Sequence, residues 1–496
     1  MRDTFARTVT GATAGTEELV VQHLARMASG IDGLDRILNG GFVEGASYII
    51  QGRPGAGKTI LSNQIAFAHA ANGGKVLYVT LLAESHERLF HAMSTLDFFK
   101  KEKLGQEIAY VSVFHALREE GLGAVVKLLR QETKRHNATL LVFDGLLNAR
   151  ERAETDLDVK TFVAEVQGQA GFVGCTVLFL TSTRLDDSSP EHTMVDGVID
   201  LSDEIFGVRT VRQLQVRKSR GSAAVGGLHQ YEITQAGVTI YPRLEAVSWP
   251  QVPPSPAILA QRVTSGNEGV DALIGGGLPR GSVTLLAGPT GTGKTTLGLH
   301  FLSGGGPEEP ALHFGFFETS TLLQRKATTL NITLPLDHLN VLWTPMAENL
   351  LDKLGHELLD QVCHHGVTRL FVDGIGGFER AATHRPRLVE FFTTLTNRLR
   401  AIGVTSIFTW EMREIIDESV VAPTDQLSAM FDNVILLRQI VQDHDLKRTI
   451  TIQKMRDSAF VANTRLLEIT SKGLRVGPKL GAPAETNPSA ENLGGS

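Results

Sequence analysis

The sequence predicts an α/β protein of two tandem domains, each with a mostly parallel central sheet and an antiparallel extension. Three observations lead there. The 496 residues are too many for a single hydrophobic core. A set of short motifs returns at a constant offset. Within each half, apolar strand patterns alternate with helical ones, the order that gives parallel strands covered on both faces.

The repeat fixes the domain organisation. Ser29-Gly30-Ile31-Asp32-Gly33-Leu34-Asp35 matches Ser265-Gly266-Asn267-Glu268-Gly269-Val270-Asp271, and 265 − 29 = 236. Gly41 and Gly45 match Gly277 and Gly281, Lys58 matches Lys294, and Lys218-Ser219-Arg220 matches Lys454-Met455-Arg456, each again 236 residues apart. A register held over this length indicates a duplicated domain. The Pro-rich stretch Val247 to Pro256 cannot continue a helix or a central strand and forms the joint. The expected layout is an arm over 1–22, a first domain over 23–246, a linker over 247–261, a second domain over 262–475 and a disordered tail over 476–496.

Each domain opens on Gly30 or Gly266 and reaches a strand, Ser47 to Gln51 or Val283 to Ala287. A glycine-rich loop follows: Gly52-Arg53-Pro54-Gly55-Ala56-Gly57-Lys58-Thr59, and Gly288-Pro289-Thr290-Gly291-Thr292-Gly293-Lys294-Thr295. Both fit the P-loop pattern, in which glycines bring backbone N–H groups against a phosphate and the helix N-terminus adds positive potential. Lys58 and Lys294 are the phosphate-neutralising cations. Thr59 and Thr295 offer a hydroxyl to Mg²⁺, and Ile60 and Thr296 complete each loop's approach to the nucleotide. A Gly-rich turn with an exposed lysine is the alternative, and a strand before and a helix after both copies argue against it.

The strands that follow carry the acidic groups. Asp144 ends Leu140-Leu141-Val142-Phe143, and Asp373 ends Leu370-Phe371-Val372, the placement of a metal-holding aspartate beside a P-loop. Each precedes a glycine, so an Asp-Gly turn is the competing reading. Glu84 and Glu318 stand 26 and 24 residues beyond their P-loop lysines (84 − 58 and 318 − 294) and are candidates to orient or deprotonate water. A helix-start carboxylate is the competing reading there. Each domain closes on β-rich sequence bearing Lys218 and Arg220, or Lys454 and Arg456. Alternate residues share one strand face, so each pair could reach a neighbouring copy's γ-phosphate, or serve only as a solvated basic edge.

Composition bounds the function. The chain is 42% hydrophobic and 21% charged, ordinary for a globular protein. A net charge of −6 argues against a nucleic-acid coat. The loops around 184–191 and 411–418 are net acidic and would repel a DNA strand. Cys175 and Cys363 sit in or beside apolar runs and are expected in the core, with a reducing cytoplasm as the setting. No apolar run reaches membrane-spanning length, so no membrane contact is expected.

Two P-loop domains, each opened by S-G-x-x-x-[LV]-D and closed by K-x-R, resemble the KaiC family of RecA-like ATPases over residues 25 to 475. The resemblance implies a tandem RecA-like fold, ATP and Mg²⁺ as cofactors, and ATP held between subunits of a homohexameric double ring. It also implies an ATPase in the first domain, serine/threonine autokinase activity in the second, and a regulatory protein partner. Two departures stand out. The family's paired catalytic glutamates are Ala83-Glu84 and Phe317-Glu318 here, so one of each pair is missing. Its adjacent Ser-Thr phospho-acceptors align with Ser428-Ala429, leaving Ser428 as the one candidate. Slow turnover, down to a nucleotide-gated scaffold, is therefore an alternative to an active switch.

Overall fold

The computed structural model describes residues 24–81, 86–182, 189–247, 260–347, 349–412, 430–442, 444–456 and 458–480. The arm, nearly all of the Pro-rich joint, Glu84, Ser428, most of both acidic loops and the residues beyond Leu480 lie outside them.

Two nine-stranded sheets form, with the same strand order in each. In the first, Ile108–Ser112, Val76–Thr80, Leu140–Asp144, Thr176–Thr181, Ser47–Gly52 and Gly197–Phe206 run parallel. Arg209–Ser219, His229–Thr234 and Gly237–Tyr241 then extend the sheet antiparallel. In the second, Leu339–Trp343, Ala311–Gly315, Arg369–Asp373, Thr405–Glu411, Val283–Gly288 and Asn433–Gln442 are parallel, and Asp445–Met455, Arg465–Thr470 and Gly473–Lys479 complete it antiparallel. The P-loop strand lies at the centre of each, where the order of strands along the chain reverses. That crevice at the carboxyl ends of the strands is where such sheets bind ligands.

Burial of both faces explains why the central strands are largely apolar. Leu140 and Val142 enter the core beneath the P-loop helix, while Leu141 and Phe143 enter the core on the opposite face. Leu370, Phe371 and Val372 divide between two cores in the same way. The helix after the first P-loop runs Lys58–Ala71, whereas its twin spans only Lys294–Ser303. Gly304-Gly305-Gly306 ends the second one early, since consecutive glycines lose too much backbone entropy to extend a helix.

Two expectations need correction. Cys175 is buried, but Cys363 is exposed. It lies near the end of the helix Leu351–His364, whose buried stripe runs through Leu351, Leu354, Leu358 and Val362; the next residue turns about 100° away from that stripe. The final strand continues to Lys479, past residue 475 and through Pro478. Proline is tolerated there because this strand is the edge of its sheet and needs no donor on the outer side.

The two domains are joined by packing as well as by chain. Leu244, at the end of the first domain, is fully buried in the core of the second. Lys353 Nζ meets Glu232 at 2.9 Å, and His356 Nε2 meets the Pro242 carbonyl at 2.8 Å. Arg209, from the hairpin Gly197–Ser219, donates to the carbonyls of Asn349 at 2.8 Å and Ala381 at 3.1 Å.

Near this seam, buried His229 accepts the backbone N–H of Arg243 on Nδ1 at 3.0 Å, leaving Nε2 to donate to the Val225 carbonyl at 3.1 Å. That arrangement needs the neutral ring. Burial, reinforced by Arg243 and Arg387 and opposed by Glu245 and the Val225 bond, pushes its pKa down to about 4. The unfolded chain takes up this proton near pH 6.5, so stability falls as the pH drops from there toward 4. The loss approaches roughly 3 kcal/mol. Denaturant midpoints at pH 7 and pH 4.5 should show it. His229→Gln, which keeps one acceptor and one donor, should flatten the difference; an unchanged slope would remove His229 from the account.

Candidate active site

The P-loops wrap as their glycines dictate. Gly55, Gly57, Gly291 and Gly293 all take positive φ, between 78° and 104°. At Gly57 a side chain is further barred, because a Cβ would come within 2.5 Å of Ile233 Cδ1. Each loop then delivers its lysine inward. Lys58 Nζ donates to the carbonyls of Gly52 at 2.7 Å and Arg53 at 2.9 Å. Lys294 Nζ donates to Gly288 and Pro289, both at 2.7 Å. Burial lowers both lysine pKa values, opposed by Asp144 at the first and by Glu411 and Asp373 at the second.

The strand-end aspartates meet the P-loop threonines. Thr295 Oγ1 donates to Asp373 Oδ2 at 2.9 Å, and Thr409 holds the other carboxylate oxygen at 2.7 Å. In the first domain Thr59 Oγ1 and Asp144 Oδ2 stand 3.5 Å apart. Burial raises the Asp144 pKa, while Lys58 and Thr59 oppose the shift. A threonine hydroxyl and a carboxylate facing each other are hard oxygen donors, the set that Mg²⁺ accepts.

Each site opens into a cavity. The first, of about 730 Å³, is lined by Gly55, Gly57, Lys58, Thr59, Ile60 and Asp144 among others. The second, of about 510 Å³, is lined by Thr290, Gly291, Gly293, Lys294, Thr295, Thr296, Glu318 and Asp373, again with others. Gly52 and Gly288 end their strands behind the loops. Ala56 is buried and gives its carbonyl to Tyr231 OH at 2.6 Å, while Thr292 bonds back to the Pro289 carbonyl at 2.8 Å.

Glu318 precedes the helix Ser320–Thr329, which Thr319 caps. Its Oε1 receives Lys326 Nζ at 2.6 Å rather than a helix-start N–H. Lys326, Arg380, Thr409 and Glu411 line the second cavity and were not singled out from sequence. Of these, Thr409 and Glu411 had a signal, since they end the strand beside Asp373. Tyr231 had none, because it meets the P-loop from 175 residues away.

The K-x-R pairs line neither cavity. Lys218 sits at a bulge in the hairpin, as Lys454 does in the second domain, and a bulge redirects a side chain. Lys218 Nζ donates to the carbonyls of His192 and Val195, both at 2.6 Å, and Arg220 Nη2 to that of Thr193 at 3.2 Å. Lys454 Nζ donates to the Phe431 carbonyl at 2.8 Å, and Arg456 meets Asp432 at 3.3 Å. Each pair thus lies together at one end of its strand, turned toward its own chain.

A P-loop, its lysine and a strand-end aspartate, gathered at the carboxyl ends of parallel strands and built twice, define a tandem P-loop nucleotide-binding protein of RecA-like architecture. A model of the family described as "ATPase: KaiC" matches residues 27–245 and again 263–481. The chain belongs to this KaiC ATPase family. It is similar to the circadian clock oscillator protein KaiC of Picosynechococcus sp., 25% identical over 475 residues covering 90% of this chain and 88% of the relative. It is also similar to the circadian clock protein KaiC3 of Synechocystis sp., 25% identical over 476 residues and 92% of each chain. KaiC of Synechococcus elongatus is 24% identical over 471 residues, 91% of this chain and 89% of the relative. No helix among the described residues is long and apolar enough to cross a membrane.

Proposed function

We propose that the chain is a Mg-ATP-dependent ATPase that works as a regulatory switch, binding one nucleotide in each domain and assembling as a homohexameric ring. The observation that carries this reading is the meeting of a P-loop lysine and a strand-end aspartate in each of two cavities of nucleotide size. Lys58 and Lys294 would exchange their loop carbonyls for β- and γ-phosphate oxygens, and the P-loop N–H groups would hold the chain of phosphates. Thr59 with Asp144, and Thr295 with Asp373, would hold Mg²⁺, which neutralises charge developing on the phosphates. In a ring, Lys218 and Arg220, or Lys454 and Arg456, would leave their own carbonyls to reach a neighbour's γ-phosphate. Serine autophosphorylation at Ser428 and a regulatory protein partner belong to the same reading, on the strength of the relatives alone.

Glu318, which lines the second cavity, would orient water there, and Glu84 is the matching candidate in the first site. The ion pair to Lys326 favours a second reading, a nucleotide-gated scaffold with little turnover, since the ammonium occupies a carboxylate oxygen that would otherwise meet the attacking water. Steady-state phosphate release separates the two. In a Lys58→Ala background, which isolates the second site, Glu318→Gln should lower the rate about 100-fold, the usual worth of a positioned base. An unchanged, measurable rate would remove Glu318 from catalysis, and no rate above background in either protein would favour the scaffold.

A further inference from the structure

We propose that the second domain, and not the first, holds a borderline first-row divalent cation of the Mn²⁺, Co²⁺ and Zn²⁺ class on His313, Glu318 and Asp373, without nucleotide. These three side chains each offer one ligand atom, and all three atoms lie within 4.8 Å of one another. His313 is fully buried, and neither ring nitrogen has a hydrogen-bond partner. Glu318 Oε2 is likewise buried and unpartnered. Two orphaned groups of this kind side by side are costly unless something completes them.

The comparison between domains shows how the orphan arises. His313 is the third residue of the strand Ala311–Gly315, and Tyr78 is the third residue of the corresponding strand Val76–Thr80. The Tyr78 hydroxyl is satisfied, by Ser62 Oγ at 2.8 Å and Asn63 Nδ2 at 3.1 Å on the P-loop helix. At an offset of 236 those helix positions become Gly298 and Leu299. Neither carries a polar side chain, and the Phe371 ring fills the space beside Gly298. The second domain has exchanged a satisfied hydroxyl for an imidazole whose nearest ligand-forming neighbours are two carboxylates.

One imidazole and two carboxylates suit a transition ion better than Mg²⁺, which prefers all-oxygen shells. Metal–ligand bonds of about 2.1 Å require the three side chains to draw in by about 1 Å. The resident rival is the Lys326 ammonium on Glu318 Oε1. It repels a metal and competes for the same carboxylate, so removing it should tighten binding. A purely structural role for His313 makes no such prediction.

The test uses Mn²⁺ with the full chain and no nucleotide, read by pulsed electron paramagnetic resonance. Wild type should bind one Mn²⁺ that shows coupling to an imidazole ¹⁴N. His313→Leu, close in volume and apolar, should lose that signal and weaken Mn²⁺ binding at least tenfold while melting no lower than wild type. Lys326→Met should tighten Mn²⁺ binding several-fold with the ¹⁴N coupling retained. The proposal fails if Mn²⁺ binds only together with nucleotide, if bound Mn²⁺ shows no nitrogen coupling, or if His313→Leu binds it as wild type does. Because nucleotide is left out, loss of the ATPase reading would not affect this result.

Discussion

Substituting both Lys58 and Lys294 by alanine is expected to abolish nucleotide binding and, with it, nucleotide-dependent assembly. Each lysine is the P-loop cation that lines its cavity, and it donates to two loop carbonyls. Bound to phosphate, it contributes two charge-assisted hydrogen bonds, together about 3 to 5 kcal/mol, so each single substitution should weaken its own site roughly a hundred- to several thousandfold. The effect should be local, because the sites sit in separate sheets. Lys58→Ala should leave the second site's affinity unchanged, and Lys294→Ala the first. Lys→Met variants keep the aliphatic stem and should bind as poorly as Lys→Ala, which separates loss of charge from loss of packing. Equilibrium binding of a fluorescent ATP analogue and sedimentation in Mg-ATP read both consequences. Assembly that persists in the double variant would break the link between nucleotide and ring.

The largest stability effect is expected at Arg387. Its guanidinium grips Glu245 of the first domain through two bonds of 2.7 and 2.9 Å and donates to Asp352 Oδ2 at 2.9 Å. Asp352 is fully buried, and it also receives the backbone N–H of Leu244 at 3.0 Å. Burial raises the Asp352 pKa, and Arg387 is the chief opposing influence. Arg387→Ala strands that carboxylate and Glu245 at the seam. Breaking a buried pair from one side costs about 3 to 5 kcal/mol, far more than an exposed pair is worth. The loss should appear where the domains meet, so a single cooperative unfolding transition should split into two. Arg387→Lys keeps the charge but cannot fork to both carboxylates, and should fall between the two. An alanine variant that melts like wild type would show that the domains hold together without this contact.

Local patterns made much of this molecule legible. The P-loops announced themselves through glycines whose positive φ no other residue adopts easily, and the aspartates through their place at the ends of apolar strands. A constant offset between halves carried the reading from one domain to the other. What escaped was chemistry assembled over long separations. Arg387 meets Glu245 from 142 residues away, and nothing in either neighbourhood marks the pair. The K-x-R residues were expected to share one strand face, but each arginine lies just past the end of its strand and a bulge turns Lys218 onto its own chain's carbonyls. His313 looked like one more residue in a core strand. Only the loss of the polar helix partners that Tyr78 enjoys reveals it as unsatisfied. Cys363 misled because an apolar neighbour does not place a residue on the apolar stripe of a helix.

The central claim is that one chain carries two independent triphosphate cradles. Nucleotide stoichiometry tests it most directly, by equilibrium dialysis of a non-hydrolysable ATP analogue with Mg²⁺. Two nucleotides per wild-type chain, one in each single lysine variant and none in the double variant are the predicted values. Wild-type chains that bind none, or single variants that still bind two, would contradict it.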